Sequence, residues 1–250
     1  MSFFSDLFNK KKLSATPADL SLLKTDMHSH FIPGIDDGAQ TMEDSIRLIR
    51  GVKDFGYSKI ITTPHTMSDY YKNTPEIILG GLEKVRDELK KNKINIQLEA
   101  ASEYYVDFEF GERLKRREVL TFSGKYILIE VSFLNPPDNL EAAIFNLIVA
   151  GYKPILAHPE RYPYWHGNME KYQRIKDMGA LLQLNILSLT QYYSKEVNQT
   201  AMKLVDLGII DLLGTDMHHD KHLETLRTRA LYEPYLHKLL ESGKLINASL

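Results

Sequence analysis

Cysteine is absent from the 250 residues. That excludes disulfides, thiolate zinc sites, iron–sulfur clusters and every cysteine-nucleophile mechanism, phosphocysteine chemistry included. Long apolar runs are absent too: no stretch reaches the roughly 18 residues a membrane-spanning helix needs. Charge of one sign does not prevail. Lys and Arg number 31 against 33 Asp and Glu, a formal net charge of −2, which gives no ground for expecting nucleic acid or a polybasic membrane contact. The glycine-rich nucleotide loops GxGxxG and GxxxxGKS/T are missing. So are tandem repeats of 20–50 residues. What remains is ordinary folded-chain composition, 43% hydrophobic and 26% charged.

The first residues, MSFFSDLFNKKKLS, place their apolar part ahead of the lysines, the reverse of a secretory signal. Residues 1–23 are expected to stand outside the main domain. They read either as a loose tail or as a short surface-seeking helix with Phe3, Phe4, Leu7 and Phe8 on its apolar side, which would bring the protein near a membrane surface. A cytoplasmic location is the matching expectation.

From residue 24 onward, short apolar runs alternate with longer amphipathic stretches. Seven runs read as strands: KTDMHSH (24–30), KIITTPH (59–65), INIQLEAASEYY (94–105), YILIEVS (126–132), KPILAHP (153–159), ALLQLNIL (180–187) and IIDLLGTDMH (209–218). Helices are expected over 41–56, 74–92, 139–152, 169–180, 194–208 and 222–243. Thr41 and Asp44 form a capping-box pattern, Thr74-Pro75-Glu76 is a start signal, and Gly56, Gly151 and Gly208 each end a helix just before a strand. Repeated βα units imply a parallel sheet, and near-continuous apolar strands imply burial on both faces. One βα barrel over residues 24–250 is the simplest α/β architecture.

The histidines fall where such an architecture concentrates chemistry. His28 and His30 close the first run, His65 the second, His158 the fifth and His218 the last. Glu103 and Glu130 occupy the ends of the third and fourth, and Asp36 and Asp37 follow the first. In a βα barrel these ends meet on one face. Residues two apart on a strand share a side, so His28 projects with His30 and Asp216 with His218. So many imidazoles and carboxylates in one mouth are costly unless paired or metal-bound. A His and carboxylate set without thiolate suits Mn, Fe, Zn, Co or Ni. His166, His219, His222 and His237 lie off this pattern and are assigned to the surface or to supporting positions.

The order DMHSH, TTPH, a mid-chain Glu, HPERY and a final TDMHH resembles the PHP (polymerase and histidinol phosphatase) superfamily. HSHFIPGIDDGAQTMEDSIRL, ITTPH and AHPERY are similar to the bacterial manganese-dependent protein-tyrosine phosphatases of capsular and exopolysaccharide operons, the CpsB/YwqE type. The resemblance covers about residues 24–240. It implies a distorted seven-stranded (β/α) barrel of the PHP type, with two or three metal ions, Mn²⁺ first among them, at the carboxyl ends of the strands. One ion would use His28, His30, Glu103 and Asp216. A second would share Glu103 and add Glu130 and His158. A third would use Asp37, His65 and His218. Arg161 would contact the substrate phosphate, with Glu130 and His158 completing the catalytic set. The implied partner is a phosphotyrosine protein, a polysaccharide-assembly tyrosine kinase.

One departure stands out. Such relatives carry an Arg shortly after the last DxH, whereas this chain reads HHDKHLETLR with no Arg before Arg227. Lys221 or His222 could take its place, or the clamp could come from elsewhere.

The implied reaction is hydrolysis of a phosphate monoester by a metal-activated hydroxide, and phenolate leaves with little acid assistance. Arg161 suits bidentate recognition of two phosphate oxygens, or it forms a salt bridge with Glu160. Phe31, Tyr70, Tyr71, Tyr104, Tyr105, Tyr162, Tyr164, Trp165, Tyr192 and Tyr193 either line a groove for a tyrosine ring or act as packing lids. Three readings compete: a small-molecule monoesterase of the histidinol-phosphate type, a phosphodiesterase, and a non-catalytic regulatory barrel.

Overall fold

The computed structural model describes residues 13–250. Among the described residues nine short strands carry the fold: β1 (Thr25–Asp26), β2 (Lys59–Thr62), β3 (His65–Thr66), β4 (Gln97–Ala100), β5 (Glu103–Tyr105), β6 (Tyr126–Glu130), β7 (Lys153–Ala157), β8 (Leu181–Asn185) and β9 (Leu212–Gly214). All strand pairs are parallel. They form two sheets, β1-β2-β4 and β3-β5-β6-β7-β8-β9.

The seven expected runs thus appear as nine strands in two sheets. The KIITTPH run breaks at Pro64, which has no N–H to give a ladder, and yields β2 and β3. Its neighbour breaks at Ala101 and Ser102 and yields β4 and β5, and the Glu103 N–H is shared between the Thr63 and Pro64 carbonyls at 3.3 and 3.2 Å. The first and last runs still meet. Asp216 N–H donates to the His28 carbonyl at 2.8 Å and His30 N–H to that of Met217 at 3.0 Å.

The described residues also form eight α-helices: α1 (Met42–Asp54), α2 (Pro75–Lys91), α3 (Phe108–Arg116), α4 (Leu140–Val149), α5 (Met169–Asp177), α6 (Lys195–Leu207), α7 (Asp220–Thr228) and α8 (Pro234–Glu241). The capping box on α1 forms as expected: the Thr41 side chain accepts from Asp44 N–H and Asp44 accepts from Thr41 N–H. Gly56, Gly151 and Gly208 all have positive φ. Two expectations fail. Helix α3 has no counterpart among the expected helices, because Gly111 interrupts a short, charged segment; Asp107 starts it by accepting from Phe110 N–H. The single helix over 222–243 is two, because Pro234 forces the preceding Glu233 to extended backbone.

The strands are buried on both faces. Ile127, Ile129, Leu156, Leu182 and Leu184 face the larger core under the helices. Met27, Ile61, Ala101, Leu128, Ile155, Ala157 and Leu212 form a second, inner layer. Ahead of β1, Ala18, Leu20 and Leu23 are buried. Ser14 and Ala18 N–H groups donate to the carbonyls of Tyr232 and Leu231 at 2.8 and 2.7 Å. The expected apolar helix of Phe3, Phe4, Leu7 and Phe8 lies outside the described residues. Among the described residues, no helix is long and apolar enough to cross a membrane.

Candidate metal centre

The inner layer leads directly to the polar mouth. Two residues beyond Ala101 and Leu128, on the same inward side, stand Glu103 and Glu130. His158 follows Ala157 by one residue and reaches the mouth through a left-handed backbone, φ 33°. Asp216 is also left-handed, φ 49°. Such conformations cost on the order of 1–3 kcal/mol for a non-glycine residue and collect at functional sites. Gly214, just below, has to be glycine: a Cβ there would lie 2.7 Å from His28 Cβ.

The expected ligands converge. His28 Nε2 lies 3.0 Å from Glu103 Oε2 and 3.3 Å from Asp216 Oδ1. His30 Nε2 lies 3.5 and 3.4 Å from the same two oxygens. His65 Nδ1 is 2.9 Å from Glu130 Oε1 and 3.3 Å from Glu103 Oε2. Asp37 Oδ1 is 3.5 Å from both His65 Nε2 and His218 Nε2. Three donor groups result: His28, His30, Glu103 and Asp216; His30, Asp37, His65 and His218; and His65, Glu103 and Glu130. The first is the expected set. The second adds His30 to the expected three. The third has His65 where His158 was expected; His158 Nε2 instead meets the other Glu103 oxygen at 2.9 Å.

The surroundings of these histidines fit metal ligation. His28 Nδ1 donates to Gln183 Oε1 at 2.8 Å, His30 Nδ1 to Asp36 Oδ2 at 2.8 Å, and His218 Nδ1 to the Asp216 carbonyl at 2.8 Å. Each bond spends the ring N–H on an outer acceptor and turns Nε2 toward the mouth, the arrangement that orients metal-bound imidazoles. His65 Nδ1 is buried, faces two carboxylates and makes no hydrogen bond.

The electrostatics agree. Burial opposes charge on His28, yet the carboxylates of Glu103 and Asp216 raise its pKa. Burial is likewise outweighed at His65, which Glu130 and Glu103 push up to about 9. Despite burial, Glu103 and Asp216 are held well below the ordinary carboxylate range, first by His28. The carboxylates thus favour positive charge at this centre, whether of an imidazolium or of a divalent cation. His158 differs: burial and Arg161 push it down, toward the neutral form.

Above the centre opens a cleft of about 270 Å³ lined by Asp37, His65, Glu130, Phe133, His158, Arg161, Tyr193, Asp216, His218, His219 and His222. Arg161 does not pair with Glu160. It donates to Asp216 Oδ2 at 2.8 Å, and its guanidinium sits 4.8 Å from the Phe133 ring and 4.3 Å from the Tyr193 ring. Glu160 is buried, accepts from Asn185 N–H at 3.0 Å, and is pushed up by burial to about 7. Lys221 turns onto Tyr192 at 5.2 Å, whereas His222 lines the cleft.

Several aromatics expected near the groove are packing residues: Phe31, Tyr104, Tyr162 and Trp165 are buried. Tyr71 stacks on His65 at 5.5 Å, and Tyr193 forms a cleft wall. Gln183 and Asn185 are not singled out by sequence. Gln183 orients His28, and Asn185 Nδ2 donates to Asp216 Oδ2 and the Tyr193 hydroxyl at 2.8 and 2.9 Å. Their signal is two amides, two residues apart, in an otherwise apolar strand.

Fold and donor set together define a class: a parallel α/β protein whose strand ends present a His and carboxylate centre able to hold more than one metal ion. The chain belongs to the capsular polysaccharide synthesis CpsB/CapC family, whose model matches residues 24–231. It is 31% identical over 208 residues to tyrosine-protein phosphatase YwqE of Bacillus subtilis, covering 83% of this chain and 82% of that one. It is 25% identical to the protein named putative tyrosine-protein phosphatase CapC of Staphylococcus aureus, covering 88% and 90%. Among solved structures, one described as YwqE from Bacillus subtilis and CpsB from Streptococcus pneumoniae, metal-dependent tyrosine phosphatases, aligns with a TM-score of 0.76 and 26% identity over 90% of this chain and 94% of that chain.

Proposed function

We propose that this chain is a metal-dependent protein-tyrosine phosphatase acting on a tyrosine kinase of capsular or exopolysaccharide assembly. The observation that carries the reading is the convergence of three His and carboxylate donor groups beneath a cleft walled by Arg161 and two aromatic rings. The seven apolar runs act as the staves of a distorted PHP-type barrel over residues 24–250, with 1–23 as an N-terminal segment.

His28, His30, Glu103 and Asp216 would hold one ion, Glu130 and His158 would share Glu103 to hold a second, and Asp37, His65 and His218 a third. Manganese suits this all-nitrogen and oxygen set. Bound divalent ions supply charge neutralisation on the phosphate and a water made acidic enough to attack near neutral pH. Arg161 grips nonbridging phosphate oxygens with its planar fork, held in place by Phe133, Tyr193 and Asp216. The same two rings offer faces to the phenyl group of the substrate. His222, whose Nδ1 lies 3.1 Å from the Asp216 carbonyl, lines the cleft and would take the role of the Arg absent after the last DxH.

The test is hydrolysis of a phosphotyrosine and a phosphoserine peptide, each with and without added Mn²⁺. Mn²⁺-dependent, phosphotyrosine-selective turnover is the expected result. Turnover of small phosphate esters alone would shift the reading to the small-molecule class.

A further inference from the structure

The three most exposed large apolar side chains among the described residues are Leu134 at 85%, Phe108 at 82% and Tyr70 at 79%. All three follow the carboxyl ends of β3, β5 and β6, which are neighbours in one sheet. Packing rules do not account for this placement. Exposed apolar groups scattered singly are normal, but a group of them beside a cleft marks an interaction surface.

The loops are joined to one another and to the metal centre. Met67 and Tyr71 exchange backbone hydrogen bonds of 2.9 and 3.0 Å, which lifts Tyr70 at the turn. Ser68 N–H and hydroxyl donate to Asp107 Oδ2 at 3.1 and 2.7 Å and tie that turn to the residue before Phe108. Val106 N–H donates to the Glu130 carbonyl at 2.9 Å, tying the same segment to the end of β6. Next to Leu134, Phe133 stacks on His158 at 5.5 Å and under Arg161. The opposite side of the cleft, after β9, is polar: His218, His219 and His222 line it. A cleft of about 270 Å³ has room for a phosphorylated ring but not for the residues beside it. Those have to cross one rim or the other.

We infer that the rim formed by Tyr70, Phe108 and Leu134 receives apolar side chains flanking the phosphotyrosine of a polypeptide substrate, an inference that rests on the phosphatase reading above. Substrates with apolar neighbours gain buried area on this rim, and substrates with polar neighbours do not. None of the three residues lines the cleft, so the rim selects the polypeptide without touching the reacting phosphate.

The experiment compares the wild type with a Tyr70→Ser/Phe108→Ser/Leu134→Ser variant on p-nitrophenyl phosphate, on a phosphotyrosine peptide with Leu and Val flanks, and on the same peptide with Ser and Asn flanks. The wild type should favour the apolar-flanked peptide in kcat/KM by about tenfold or more, the scale of a few apolar contacts, with the difference in KM. The variant should lose that preference while hydrolysing p-nitrophenyl phosphate as before. Phe145→Ser, at an exposed position of α4 that does not line the cleft, should keep it. Equal treatment of the two peptides by the wild type, or a preference that survives in the triple variant, would overturn the inference. Failure of the wild type on all three substrates would instead overturn the phosphatase reading, and the inference with it.

Discussion

Two layers of the molecule lie one above the other on the inward side of the strands and share almost nothing chemically. In the lower layer Met27, Ile61, Ala101, Leu128, Ile155 and Leu212 interlock with no polar partner to satisfy. Two residues further along the same chains stand Glu103 and Glu130, buried to the same degree and surrounded by imidazoles. Alternation along a strand produces both layers. What changes is the compensation: apolar contact below, ion pairing within a donor set fit for metal above. The lower layer should therefore govern stability and the upper one activity.

The sharpest way to break this comparison is Glu103→Gln, which keeps the shape and removes the charge on which His28, His65 and His158 converge. Turnover should fall by roughly 10²–10³-fold or more while the fold persists. A variant that unfolds with its activity per folded molecule intact would erase the distinction between layers. Leu128→Ala is the converse. Leu128 is fully buried, so the change should cost about 2–5 kcal/mol in denaturant unfolding and leave kcat of the folded fraction near that of the wild type.

The upper layer also has a pH signature. His28 and His65 hold protons above their ordinary range because buried carboxylates face them. A metal ion has to displace those protons, so apparent affinity should rise with pH by about tenfold per unit for each proton released. Calorimetric titration in buffers of different ionisation enthalpy reads this release, and pH-independent affinity would contradict it. The smallest effect is expected at Asn185→Ala. Its side chain supports Asp216 and Tyr193 from outside the donor set, and its loss should weaken metal binding or turnover by about 10–100-fold.

The upper layer is more legible in the sequence than the frame that carries it. Histidines and acids recur at the ends of apolar runs, and that period survives folding. Strand number is obscured because Pro64 looks like part of an apolar run while interrupting its ladder, and helix α3 is hidden by Gly111. Pro234 likewise divides a stretch whose apolar spacing alone suggests one helix. The choice between Asp36 and Asp37 rests on resemblance alone in the sequence, and in the structure the two side chains differ in where they act. Asp36 bonds His30 from behind, whereas Asp37 faces the cleft. Gln183 and Asn185 escape notice because an amide in a strand carries no charge. The Tyr70, Phe108 and Leu134 rim is invisible in the sequence, since exposure of an apolar residue depends on tertiary neighbours.

The most direct measurement of the central claim is the metal content of the purified protein and of its Glu103→Gln variant, by elemental analysis. More than one divalent ion per chain in the wild type, falling in the variant without loss of fold, is the predicted result. A wild type that binds no metal, or a variant that retains the full complement, would contradict it.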